Sequence, residues 1–104
     1  MEKHFLEWVR LRVQSGRYVI STHAEIERLE EDIDISDIET CIESGVLLED
    51  YPNDSRGHCG LFAGRVHGQW LHVVCGRRED WVIIITVYMP KQPYWETPLR
   101  RRKR

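Results

Sequence analysis

The chain has 104 residues, 41% of them apolar and four of them Trp, enough for a single domain that buries a modest core without disulfides or a structural metal. Its net charge of −2 conceals an asymmetry: Arg100, Arg101, Arg102, Lys103 and Arg104 are all basic, so the first 99 residues carry seven more acidic than basic side chains. Three cysteines without a C-x-x-C pair, no signal-peptide pattern and no strongly apolar run longer than Val82–Val87 argue for a cytoplasmic chain and against any membrane role.

From His4 to Gln14 the apolar residues Phe5, Leu6, Trp8, Val9 and Val13 recur at helical spacing, and Ser15-Gly16 stops them. Tyr18-Val19-Ile20 reads as a short strand. A second helix is expected from about Thr22 to Asp32, with Thr22 and Glu25 as a capping box, His23 in the opening turn and Ile26, Leu29 and Ile33 as its inner stripe. Ser36 and Glu39 have the same capping spacing; the stripe Ile38, Cys41, Ile42 follows, and Gly45 stands where a glycine closing the helix after Ser44 belongs.

Beyond Gly45 the pattern changes to strands: Val46–Tyr51, His58–Val66, Trp70–Cys75 and Trp81–Tyr88, joined by short Gly-, Asn- and Asp-containing turns that imply an antiparallel meander. Val82–Val87 is apolar on both faces, as an interior strand covered by helices on one side should be. Pro90, Pro93 and Pro98 around Tyr94 and Trp95 suggest an extended segment lying back across the body. The fold class is therefore α+β, with N-terminal helices on a twisted, mainly antiparallel sheet of four to five strands spanning residues 1–95, and a basic tail over 96–104. That tail can meet RNA phosphates or an acidic partner, or fold onto its own acidic body.

The strand-to-helix junction at residues 17–28 is the first place to seek a site, because freed N–H groups at a helix start favour an anion and His23 and Arg28 stand close to it. Ser21, His23, Ala24 and Arg28 opening one helix, Asp37, Ile38, Ile42 and Gly45 closing the next, and Ile84, Ile85, Thr86, Val87, Tyr88, Pro90 and Trp95 after the meander form a familiar series. Over most of residues 17–95 the chain resembles a small-protein family of the RelE/ParE/BrnT-like toxin superfamily. The resemblance implies a RelE-like fold and one half of a two-gene type II toxin–antitoxin module. It also implies metal-independent endoribonuclease action on RNA or at the ribosome, and a cognate antitoxin of zinc-ribbon type as partner. No cofactor is expected, and the free protein should be a monomer or small homo-oligomer.

Metal-free RNA cleavage needs a base for the 2′-hydroxyl, an acid for the leaving 5′-oxygen and cations around the phosphorane. His23 is the first candidate for acid or base, Arg28 for phosphate contact and Tyr88 for stacking on a base or donating to a phosphate oxygen. Five residues of helix turn Arg28 about 140° from His23, so the two converge only if His23 sits in a bent first turn. Further candidate substrate contacts are Ser21, Arg65, His72, Arg100, Arg101 and Arg102. His72 shares a strand face with Trp70 and Val74, and whether that face lies under the helices or open decides its meaning. A positive groove in the acidic body has to be built from Arg17, Arg28, Arg56, Arg65, Arg77 and Arg78. His58-Cys59 and His72-x-x-Cys75 point to opposite strand faces, which argues against zinc, and Cys41 reads as core. The rival reading is a non-catalytic protein- or nucleic-acid-binding domain.

Overall fold

A computed structural model describes residues 3–92 and 94–102; Pro93, Lys103 and Arg104, each part of the expectations above, lie outside the described residues. Three helices, α1 (Lys3–Gln14), α2 (Thr22–Glu30) and α3 (Ile35–Ser44), accompany a five-stranded sheet. Its strands are β1 (Tyr18–Ile20), β2 (Val46–Tyr51), β3 (Cys59–Val66), β4 (Gln69–Arg78) and β5 (Trp81–Tyr88), in the spatial order β1-β5-β4-β3-β2. The α+β class holds, and the sheet is mixed: β1 runs parallel to β5 while the other three pairs are antiparallel. A small hairpin of β6 (Trp95–Thr97) and β7 (Arg100–Arg101) follows. Among the described residues no helix is long and apolar enough to cross a membrane.

One face of the sheet carries the core. Phe5, Val9 and Val13 from α1 and Ile38, Cys41 and Ile42 from α3 pack on Phe62, Leu71, Val73, Cys75, Val82, Ile84 and Val87, all nearly or fully buried. Each such side chain contributes about 1.5–3 kcal/mol by leaving water, which is why the i, i+4, i+8 stripe of α1 and the i, i+3, i+4 stripe of α3 could be read directly from the chain. The α3 start differs from expectation: Asp34 caps it, and the Asp37 carboxylate accepts the Asp34 N–H at 3.0 Å. Gly45 ends α3 in extended rather than left-handed backbone, at φ −83. A Cβ at Gly45 would stand 2.4 Å from the Cys41 carbonyl oxygen and 2.5 Å from that of Ala63, so close approach of helix end and strand is what demands glycine.

The expected inner stripe of α2 holds only at its end, where Ile33, just past the helix, is buried in the core. Ile26 and Leu29 are 53% and 62% exposed, while Ala24 is fully buried. The cause lies in β5, whose edge loses its strand partner when β1 stops at Ile20. Glu27 and Glu31, one turn apart on the inner face of α2, take over: Glu27 Oε1 accepts the Val87 N–H at 2.9 Å and the Thr86 hydroxyl, and Glu31 Oε1 accepts the Met89 N–H at 3.0 Å. Two carboxylates thus stand in for a missing strand and shield an edge that would otherwise pair elsewhere.

On the opposite sheet face the C-terminal hairpin folds back as a strap. Trp95 meets His72 edge-on at 4.4 Å between ring centroids, and Arg101 makes two hydrogen bonds to the Glu49 carboxylate at 2.6 and 2.9 Å. Arg100 pairs with Glu96 at 3.3 Å and the Arg102 N–H donates to the Tyr94 carbonyl at 3.0 Å, so the basic run is part of the fold through residue 102.

Candidate functional site

Ser21 turns the chain from β1 into α2. Its backbone is extended and its Oγ accepts the Ala24 N–H at 3.0 Å while donating to the Ile85 carbonyl at 3.1 Å. Ser21, not Thr22, is therefore the helix cap, and its hydroxyl is committed to the turn. The shift of one residue places His23 in the first helical turn with its side chain 70% exposed and Nε2 3.2 Å from Glu27 Oε2. The other oxygen of Glu27 is anchored to β5, so a carboxylate of set position stands beside the exposed ring. With Nε2 turned toward Glu27, Nδ1 is the nitrogen available to act as a base.

His23 and Ser21 form one wall of an open hollow of about 300 Å³, whose other walls are Arg56 and Arg78 and whose floor is Gly76, Ile83 and Ile85. The strap-side face of the sheet supplies this floor, and β5 bulges there, since Val74 pairs with Thr86 and Cys75 with Ile84 while Ile85 is skipped. Gly76 keeps the floor low: a Cβ there would lie 3.0 Å from Cys59 Sγ and 3.2 Å from Ile85 Cδ1. Arg56 comes from the β2–β3 loop, where Asp54 accepts its backbone N–H and Nε at 2.9 Å and its Nη2 at 3.1 Å. These hydrogen bonds from Arg56 hold the Asp54 carboxyl down at about 2 and push the Arg56 guanidinium up. Arg78, at the end of β4, is exposed and has no ion pair among the described residues. An imidazole with a free basic nitrogen, a preset guanidinium and a second, uncompensated one thus face a single hollow with an apolar base, which suits an anion attached to an apolar body.

The other expected partners of His23 lie elsewhere. Arg28 makes paired 2.8 Å bonds to both oxygens of Glu25 and a 3.1 Å bond to the Ile33 carbonyl, which ties it into the corner between α2 and α3. Arg65 sits at the far end of β3, donating to the Gly68 carbonyl at 3.1 Å beside Trp70, about 20 Å along the strand from the hollow. His72 is fully buried beneath the strap. Its Nε2 is 2.5 Å from the Pro98 carbonyl oxygen, an acceptor only, so Nε2 carries the proton and Nδ1 accepts from the Tyr88 hydroxyl at 3.2 Å. Burial lowers the pKa of His72 and raises that of Tyr88. His72 is sealed from any substrate, and Tyr88 is half-buried against it.

Tyr88 also faces a separate cleft of about 450 Å³ with Met89, Lys91, Tyr94, Trp95 and Arg101. Arg101 is neutralised there: hydrogen bonds with Glu49 raise its pKa, and although burial pushes the Glu49 carboxyl up, Arg101 and Tyr51 outweigh it and hold that carboxyl low. Cys41 is buried with its thiol pushed up to about 12 by burial, and it is core. Arg56 and Arg78 are the members of the hollow whose roles the sequence did not assign; they appeared only among six arginines able to build a groove. Pairing the Asp54-to-Arg56 turn with the strand end at Arg78 is the signal that could have found them.

A family model described as "Domain of unknown function (DUF4258)" matches residues 20–89, a span that contains every residue lining the hollow and omits α1 and the strap. No curated protein and no solved structure matches the chain.

Proposed function

Because the chain belongs to the DUF4258 family, whose description assigns no activity, its function has to be argued from the hollow, and we propose a toxin-like RNA-cleaving protein of a type II toxin–antitoxin module acting there without a metal. The observation that carries this reading is the convergence of His23, with Glu27 beside it, and Arg56 and Arg78 from two other segments. His23 Nδ1 takes the proton of a ribose 2′-hydroxyl; the 2′-oxygen bonds to phosphorus, the bond to the 5′-oxygen breaks, and the proton returns to that oxygen through water. Arg78 and Arg56 bind the phosphoryl oxygens and stabilise the charge that builds on them. The products are a 2′,3′-cyclic phosphate and a 5′-hydroxyl end. A RelE-like ancestry, a cytoplasmic location and an antitoxin partner belong to the same reading.

Purified protein incubated with RNA in EDTA should yield discrete fragments with cyclic phosphate ends, and both His23→Ala and Arg78→Ala should remove them along with growth arrest on expression. Fragments that persist unchanged in His23→Ala sink the assignment. The burial of His72 favours the rival non-catalytic domain, because the hollow then holds one imidazole and no second acid. In that case the same incubation gives a gel shift of intact RNA.

A further inference from the structure

Trp81 opens β5 directly opposite Arg78 in the register of the β4–β5 hairpin. It alternates with Ile83 and Ile85, so its indole rises from the same sheet face that floors the hollow. Although it belongs to a strand whose neighbouring residues are largely covered, it remains 41% exposed. One side of its ring meets a cation: the Arg17 guanidinium lies 5.1 Å from the ring centroid, and Asp80 pairs with Arg17 at 2.5 Å while its second oxygen pairs with Arg12 at 2.6 Å. A half-open aromatic surface beside an uncompensated guanidinium has the two features that unpaired nucleotides need, a stacking partner for the base and a cation for its phosphate. The apolar floor of Ile83 and Ile85, further along β5 from this pair, accepts the edge of a sugar or base and offers no polar group to a second strand.

We propose that Trp81 is a base-stacking platform that restricts the hollow to single-stranded RNA, with the stacked base lying next to the phosphate held by Arg78. This rests on the assignment of the His23 hollow as an RNA site. Base pairing hides both faces of a base in the duplex stack, so a duplex can offer the site its phosphates but not a base.

The test uses the full-length protein in EDTA and a fluorescein-labelled 12-nucleotide 2′-O-methyl strand, which lacks the attacking hydroxyl and is therefore bound without being cut. Anisotropy should show Trp81→Ala binding about 10-fold more weakly, within the range of one lost base stack, with Trp81→Phe close to wild type. The wild-type protein should also prefer the intact strand about 10-fold over one carrying abasic sites and over the blunt duplex. Equal affinity of wild type for intact and abasic strands overturns the platform, and that comparison decides the matter even if Trp81→Ala does not fold. Failure to bind any RNA overturns the hollow assignment as well, whereas EDTA-resistant cleavage lost in His23→Ala and untouched in Trp81→Ala overturns the platform alone.

Discussion

Glu27 links architecture to chemistry through one side chain. One oxygen closes the open edge of β5 at Val87 and Thr86, and the other sits 3.2 Å from His23 Nε2. Glu27→Ala leaves the partly buried Val87 N–H without an acceptor, a loss of about 1–3 kcal/mol, and thermal unfolding should fall by several degrees. Glu27→Gln keeps an acceptor for that N–H, so it should retain most of the stability while removing the charge beside the imidazole and slowing the proposed RNA cleavage. Equal melting of wild type and Glu27→Ala rules out the edge-closing role. His23 could be found in the sequence because the change from a short strand to a helix start is fixed locally, even though the cap is Ser21 rather than the expected Thr22. Arg28 was misassigned because helical spacing shows only that Glu25 is near; nothing local reveals that the pair is bidentate and that the third bond goes to Ile33. The fate of His72 was equally hidden, since strand alternation states which residues share a face but not what covers it.

At the level of elements, α1 and α3 were legible because their apolar stripes meet an apolar sheet. α2 was legible as a helix but its inward face was not, because it packs against a row of backbone donors. The contrast makes a stability prediction: Leu29→Ser should change the unfolding free energy by no more than about 0.5 kcal/mol, whereas Ile38→Ala should cost about 2–5 kcal/mol. Denaturant titration of the two variants measures both, and a large loss in Leu29→Ser would restore the helix face expected from the sequence. The strap is the second element with a readable consequence. Burial lowers the pKa of His72 from its ordinary 6.5, so the stability it contributes is complete above that value and is lost as pH falls below it toward the folded pKa. Glu49 stays ionised to lower pH because Arg101 and Tyr51 outweigh its burial, so the Glu49–Arg101 bond outlasts the bond that Nδ1 of neutral His72 accepts from the Tyr88 hydroxyl. Amide exchange in β6 and β7 should therefore quicken, beyond its intrinsic pH dependence, as pH drops from about 7 to 5, while exchange in β3 does not; a flat β6–β7 profile excludes His72 as the anchor.

For the whole molecule the governing fact is charge. An acidic body cannot hold RNA through a broad positive field, and two of its tail arginines are already paired: Arg101 with Glu49 and Arg100 with Glu96. Electrostatic binding must then come from few contacts. With phosphates met by Arg56 and Arg78 alone, about two counterions are released from a single strand, so the logarithm of the binding constant should fall with that of the salt concentration at a slope of about −1.4. Arg78→Ala should shallow that slope by about 0.7 and leave the Trp81 contribution in place, because stacking is insensitive to salt at these concentrations. Titrating the 2′-O-methyl strand at several salt concentrations measures this. A slope of −4 or steeper would require more phosphate contacts than the hollow can make and would move the RNA to another surface. A slope near the expected one would fit the proposed mode, in which a chain of net charge −2 grips one unpaired step, by one phosphate pocket and one aromatic face, rather than the length of the strand.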